Sequence, residues 1–260
     1  MITITTYNIR LDTTADAPWA WAARRPYVLA NLQRLDPDIF TVEEAEPHQF
    51  ADLAAALPAY RGFGIPRENT VDKGEAAALF FKKTKFDALA EGHQWVSETP
   101  DEPSVYPGAA TYRIFQWARL REKASGRQFY LVTVHLDHIS VAARDFGVKQ
   151  ILTTFAQERQ TLPFIVTGDF NMVPSDTAYA TMTQTLRDAA LTAEKRPDPT
   201  PGTWQDSEPP TYRPGQTATR LDYFFVNDQV PVAAYAVDTT VSPAGQYASD
   251  HFPVTIAVDW

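Results

Sequence analysis

Six apolar or β-branched runs in this chain meet residues that carry chemistry at one of their ends, and no other feature constrains the fold as strongly. Ile2 to Tyr7 runs into Asn8, Asp38 to Val42 into Glu43 and Glu44, and Gln128 to Val134 into His135, with Asp137 and His138 just beyond. Pro163 to Val166 delivers Gly168-Asp169-Phe170-Asn171, Leu221 to Val226 has Asp222 at its start, and Phe252 to Val258 follows directly on Asp250-His251. Buried strands that terminate in carboxylates are expensive unless those groups share solvent, a metal or hydrogen bonds. Packing alone is a poor explanation for six repetitions.

Between these runs the pattern alternates. Arg24-Arg25-Pro26 opens a helix with Val28, Leu29, Leu32 and Leu35 on one stripe, and His48 to Leu57 is a second, shorter helix stopped by Pro58. Arg61 to Gly74 reads as a loop, Glu75 to Lys83 and Phe86 to Val96 as extended segments, and Arg113 to Glu122 with Gln128 to Leu136 as a hairpin around Ala124-Ser125-Gly126. Helical spacing returns over Val141 to Arg159 and near Asp176 to Leu186, and Lys195 to Thr217 is a long surface excursion rich in Pro, Asp, Thr and Gly. Strands joined partly by helices and partly by hairpins imply mixed sheets, best arranged as a two-sheet sandwich with helices outside. With 260 residues, 44% of them hydrophobic and 21% charged, the expectation is one globular domain, 1–260.

The net charge of −9 repels polyanions and argues against long nucleic acid as a substrate, although a bound divalent cation reverses the sign locally. With no cysteine, disulfides, thiolate metal sites and cysteine nucleophiles drop out, and any metal must sit on oxygen or imidazole. No run approaches the ~18 apolar residues of a membrane span, and the first residues lack a basic stretch followed by an apolar one. The reading is a soluble, cytoplasmic protein, with a monomer assumed.

Mg²⁺ takes oxygen ligands and keeps several waters, so one or two carboxylates and an Asn amide suffice beside a substrate phosphate. Glu44 is the principal candidate ligand, supported directly or through water by Asn8 and Asp250, while Glu43 reads as a solvated acid after the strand. Asp169 and Asn171 share one face if the segment is extended, which suits a water-orienting carboxylate beside a phosphate-binding amide. An Asx-turn leaving the strand after Gly168 is the equal alternative. His251 offers an imidazole whose tautomer Asp222 could fix, and Glu75 could do the same for His135. Asp137 and His138 read as the loop around His135, and nothing in the spacing supports a zinc site.

Taken in order, Thr6-Tyr7-Asn8, Val42-Glu43-Glu44, Val134-His135-Leu136-Asp137-His138, Thr167-Gly168-Asp169-Phe170-Asn171, Arg220-Leu221-Asp222-Tyr223 and Ser249-Asp250-His251 resemble the endonuclease/exonuclease/phosphatase superfamily. The resemblance covers nearly the whole chain. It implies a deoxyribonuclease I-like α/β fold, a four-layer α/β-β/α sandwich of two mixed β-sheets flanked by helices. It also implies Mg²⁺, with Mn²⁺ as a substitute, on Glu44, completed by Asn8 and Asp250, and a reaction centre of Asp169, Asn171 and His251 with Asp222 behind it. Glu75 and His135 match a second pair known from the deoxyribonuclease I branch, and Arg113 matches a phosphate-contacting arginine, its alternative being a cation on a strand surface.

Glu43 departs from the Gln that many members carry before the metal Glu, and the tyrosine-centred motif of the abasic-site repair branch is not evident. Trp95 to Pro100 and Trp117 to Leu120 look most like small bacterial single-domain members related to the deadenylase branch. The implied activity is hydrolysis of a phosphate ester, a diester first, with nuclease action on single-stranded RNA or DNA or phosphomonoesterase action as alternatives. A catalytically silent binding module is the non-enzyme alternative. A nuclease needs a basic stripe or stacking aromatics, for which Arg61, Arg67, Lys73, Arg113 and the tryptophans are the candidates.

Overall fold

Strand β1 (Ile2–Asn8) explains much of the architecture by its neighbours. In the computed structural model, which describes residues 1–69, 73–206, 210 and 218–260, it lies parallel to β2 (Ile39–Ala45). Helix α1 (Trp21–Leu35) makes the crossover, and α2 (Pro47–Ala56), β3 (Tyr60–Phe63) and β4 (Ala76–Lys82) follow. The chain then builds the second sheet from β5 (Phe86–Trp95), β6 (Ile114–Glu122) and β7 (Gln128–His135). Helices α3 (Val141–Thr154) and α4 (Glu158–Thr161) cross over to β8 (Phe164–Asp169), which lies parallel to β7. The remaining elements are α5 (Thr177–Thr183), β9 (Arg187–Asp188), α6 (Ala189–Thr192), β10 (Asp222–Val226), β11 (Val232–Val237) and β12 (Val254–Val258).

The two six-stranded sheets have the orders β11-β12-β1-β2-β4-β3 and β5-β6-β7-β8-β10-β9. Each holds one parallel pair and is otherwise antiparallel. Parallel neighbours end on the same edge, and an antiparallel neighbour starts where its partner ends. Thus Asn8 stands opposite Glu43, His135 opposite Asp169, and Asp222, at the start of β10, also opposite Asp169. Strand β12 runs antiparallel to β1, so Asp250 and His251 enter beside the end of β1. Topology alone therefore gathers the polar strand ends that the sequence scatters.

Side-chain alternation sets the layers. Ile2, Ile4, Ile39, Leu79 and Phe81 of the first sheet pack against Leu120, Phe129, Leu131, Ile165 and Phe224 of the second. On the outer faces, Phe40, Val42 and Phe80 meet Val28, Leu32 and Leu53 of α1 and α2, while Val132, Val166 and Phe225 meet Val148, Ile151 and Met182 of α3 and α5. The four layers are those of the deoxyribonuclease I-like sandwich.

The local differences from the sequence reading have physical causes. Helix α1 begins at Trp21, three residues before the expected start, because Asp12 accepts from the Trp21 amide at 3.1 Å and the indole donates to Asp52 at 2.8 Å. Pro26 is thereby taken inside the helix. The expected loop from Arg61 begins as the edge strand β3, where Gly62 marks a close approach to the Phe80 ring instead of a turn; residues 70–72 of that stretch lie outside the described residues. The helix expected to reach Arg159 ends at Thr154, capped by Phe155, whose ring is buried against Phe164. Of the Lys195 to Thr217 excursion, residues 207–209 and 211–217 lie outside the described residues, and Trp204 bridges Thr219 and His251.

Gly168 sits at φ +127°, and a Cβ there would lie 2.1 Å from the carbonyl oxygen of Val134. Gly168→Ala is expected to destabilise the protein by about 2 kcal/mol or more, read as a lowered urea midpoint. An unchanged midpoint would contradict this account of how β7 and β8 close on each other.

Candidate active site

Strict alternation along β2 sends Ile39, Thr41 and Glu43 toward the second sheet. The register against β4 slips between Val42 and Ala45, and Glu44 adopts φ +62°. That bulge re-aims Glu44 into the cleft. Glu43 is not the solvated acid its position suggests: it is fully buried between the sheets, accepting from Thr6 Oγ1 at 3.1 Å and from Thr133 Oγ1 at 3.0 Å. Burial, with the nearby charges of Asp222 and Asp169, pushes its carboxyl up to about 8.

A cleft of about 260 Å³ opens where the strand ends meet, lined among others by Glu44, Glu75, Arg113, His135, Asp169, Asn171, Asp250 and His251. Asn8 lies just behind it. Its Nδ2 donates to Glu44 Oε1 at 2.9 Å and to Asp169 Oδ2 at 3.0 Å, and its Oδ1 accepts from the Arg10 amide at 3.0 Å. Leu11 N donates to Glu44 Oε2 at 2.8 Å. Asn171 reaches the cleft through a turn and not through an extended segment: its φ is +48°, its amide N donates to Asp169 Oδ1 at 2.9 Å, and its Nδ2 donates to the Leu136 carbonyl at 3.0 Å. Asx-turn and shared cleft are thus both present.

Two histidines flank Asp169 with opposite electrostatics. His251 places Nδ1 2.8 Å from Asp222 Oδ2 and Nε2 3.7 Å from Asp169 Oδ2. Burial would lower its pKa, but Asp222 and Asp169 overcome that and hold it well above the usual imidazole range. His135 places Nε2 3.4 Å from Asp169 Oδ2. Burial and the positive charges of Arg113 and Arg67 push it well below that range. Asp169 itself is raised, by burial first and then by Asp222 and Glu44, against the attraction of His251.

Beside Arg113, which the sequence reading named, Arg67 and Arg10 supply what that reading of the site left out. Glu75 lies 3.8 Å from His135 Nδ1, but Arg67 grips the same carboxylate at 2.6 and 2.7 Å, so Glu75 serves the arginine first. Arg113 is buried, with Nε 3.5 Å from Asp137 and Nη2 donating to His138 Nδ1 at 2.8 Å. Its Nη1 is buried without a hydrogen-bond partner among the described residues, beside the cleft. This is not a strand-surface cation. His138 lines the cleft as well, and is more than loop. Arg10 also lines it, with Nη1 2.9 Å from Asp250 Oδ2. The only sequence signal for Arg10 was its place two residues after Asn8.

A buried carboxylate set between a cationic and a neutral imidazole, with an arginine nitrogen left open beside it, is the equipment of a phosphoester hydrolase. Residues 5–251 match the Endonuclease/Exonuclease/phosphatase family, and the chain belongs to that family. A mannosyl-6-phosphatase from Bacteroides thetaiotaomicron is 31% identical, with a TM-score of 0.89 and all of both chains covered. A functionally unknown conserved protein from Enterococcus faecalis is 31% identical at a TM-score of 0.90, covering 99% of each chain. Drosophila melanogaster Nocturnin is 23% identical over 89% of this chain and 41% of its own length. The chain spans about a third to three-fifths of the length of the curated relatives it matches. Among the described residues, no helix is long and apolar enough to cross a membrane.

The raised Glu43 gives a pH test. An unfolded glutamate releases its proton near pH 4.3, whereas Glu43 in the fold keeps it to about 8, so stability falls as pH rises through that window and levels off above it. The slope is up to about 1.4 kcal/mol per pH unit. In EDTA, Glu43→Gln is expected to flatten the decline in urea midpoint between pH 5 and 8; parallel profiles for variant and wild type would refute the buried neutral acid.

Proposed function

We propose that this chain is a divalent-metal-dependent hydrolase of phosphate esters of small molecules, a phosphate monoester such as a sugar phosphate being preferred. The observation that carries the reading is Asp169, placed between His251 and His135 and bound by Asn8, with the open Nη1 of Arg113 across the cleft. An anionic phosphate has a cationic wall to lie against, and its attacking water has a carboxylate to give its proton to.

The residues fit a hard divalent cation. The candidate donors are carboxylate oxygens and imidazole, and one oxygen or nitrogen each from Glu44, Glu75 and His135 lies within 4.8 Å of the others. The charge of Glu44 helps raise Glu75, Asp169 and Asp250, a mutual repulsion that a cation would relieve. Glu44 would hold Mg²⁺ or Mn²⁺, with Asn8 and Asp250 ordering its surroundings. When bound, the ion supplies positive charge to the phosphate and leaving oxygens.

The chain's own residues do the rest. Asp169 orients water for in-line attack and accepts its proton. Arg113, Asn171 and the cationic His251 donate to nonbridging oxygens, where charge accumulates in the transition state. Asp222 fixes the His251 ring and sustains its charge. His135, held neutral, brings no positive charge to the substrate and offers one ring N–H and one lone pair.

The preference for a small monoester rests on the compact cleft, the net charge of −9 and the full-length likeness to a sugar-phosphate phosphatase. The nucleic-acid candidates are dispersed: Arg61 pairs with Glu91, and Trp95 is buried in the fold. In a screen of mannose 6-phosphate, bis-p-nitrophenyl phosphate and single-stranded RNA and DNA, the monoester is expected to turn over fastest. EDTA should abolish activity and Mg²⁺ or Mn²⁺ restore it. Asp169→Asn and Glu44→Gln should each lower turnover about 10³-fold with an unchanged circular-dichroism spectrum. Near-wild-type rates in either variant would refute the assigned roles.

A further inference from the structure

Most carboxylates around the cleft already have a cationic partner. Glu75 is gripped by Arg67, Asp222 faces the His251 imidazole, and Asp250 faces the Arg10 guanidinium at 2.9 Å. Glu44 and Asp169 differ: among the described residues neither has an arginine or lysine within ion-pair distance, and Asp169 shares the His251 imidazole with Asp222, 3.7 Å from its Nε2. Glu44 and Asp169 share the neutral amide of Asn8, Glu44 accepts otherwise from the Leu11 amide, and Asp169 from the Asn171 amide. Among the described residues Glu44 is therefore the cleft carboxylate that no ion pair compensates, with Asp169 beside it sharing one imidazole.

Arg10 is built in place and cannot swing freely. It is 5% exposed and takes the strained φ of +59°. Its amide donates to Asn8 Oδ1, and its carbonyl accepts from Gln49 Nε2 at 2.9 Å and from Arg24 Nη2 at 3.1 Å. Its Nε and Nη2 hold both oxygens of buried Asp16 at 2.5 and 2.8 Å, leaving Nη1 directed at Asp250. Arg24 is itself fully buried and also donates to the carbonyls of Ile9, Leu11 and Ala248, tying the Arg10 segment to the one that carries Asp250. A rigid guanidinium, its charge shared between Asp16 and Asp250, thus occupies the carboxylate that would otherwise invite a second cation.

We infer that Arg10 is the resident counter-cation of Asp250 and restricts the cleft to one divalent ion, held on the Glu44 side. The inference rests on the metal-dependent reading above and goes beyond it by fixing the number of ions and the reason for that number. Arg10 acts through Asp250 and is a positioning residue.

Mn²⁺ binding, followed by calorimetry and by electron paramagnetic resonance of the free ion, tests it without using turnover. Wild type is expected to bind one Mn²⁺ per chain. Arg10→Gln, checked for fold by circular dichroism, should gain a second Mn²⁺ or bind the first about tenfold more tightly, and Arg10→Lys should stay at one. Should Arg10→Gln not fold, Asp250→Asn decides: one Mn²⁺ with affinity within about threefold of wild type supports the inference, and any greater loss overturns it. Two ions on wild type, or an unaltered isotherm for folded Arg10→Gln, also overturns it. Failure of the hydrolase reading alone looks different: one Mn²⁺ bound, displaced as expected in the variants, with no ester hydrolysed. A wild type that binds no Mn²⁺ overturns both.

Discussion

The amide of Asn8 is shared between the two sheets. It donates to Glu44 from the neighbouring strand of its own sheet and to Asp169 from the strand that faces it across the sandwich. Those two carboxylates would repel each other with nothing but low-dielectric core behind them. One neutral donor aimed at both holds them at a fixed separation without cancelling the charge that makes them useful. Behind it, Thr6, Thr133 and the neutral Glu43 continue the polar seam inward, again with one group from each sheet. The angle and distance between the sheets are thus set at the functional edge by hydrogen bonds, and farther down by apolar packing.

From that seam the electrostatics of the cleft follow. Desolvation raises Glu43, Glu75, Asp169 and Asp250, and nearby cations oppose it at Glu75, Asp169 and Asp250. Asp222 faces His251 and sustains its charge, while burial, reinforced by Arg113 and Arg67, keeps His135 neutral. Two chemically identical side chains on one carboxylate therefore present opposite faces to a substrate. Backbone strain has a part in this: Arg10, Glu44 and Asn171 all take positive φ, and all three line the cleft. Each is held there by hydrogen bonds to its main chain or side chain, as expected where local conformation is subordinated to site geometry.

The sandwich was legible because the strand runs are apolar, the connections alternate between helix and hairpin, and the chemistry-bearing residues fall at strand ends. Those three regularities predict the layers, and the ordered motifs point to the same family. Less legible were features in which side chains meet across distant segments. Glu43 reads as a solvated acid because β2 is followed by a second glutamate, and only the bulge reveals that the second, not the first, faces solvent. Arg67 and Arg10 carry no periodic signal, since each is placed by a loop whose course depends on contacts far away in sequence. The one-residue spacing of Asp169 and Asn171 leaves strand and turn undecided, and the glycine at 168 tips it only once Val134 is known to press against it.

The pairing of β1 with β12, in which Ile2 lies opposite Val258, bears on when the site comes into existence. Asp250 and His251 take their positions as that last strand docks between β11 and β1, so their part of the cleft depends on contacts spanning almost the whole chain. Such non-local closure is slow relative to the local hairpins of the second sheet, because loop entropy must be met before the contacts form. A nascent chain can build β5 to β8 early and bury the apolar face of that sheet only when the first sheet is complete. The complete set of acids and histidines in the cleft therefore comes together only once β12 is paired with β1.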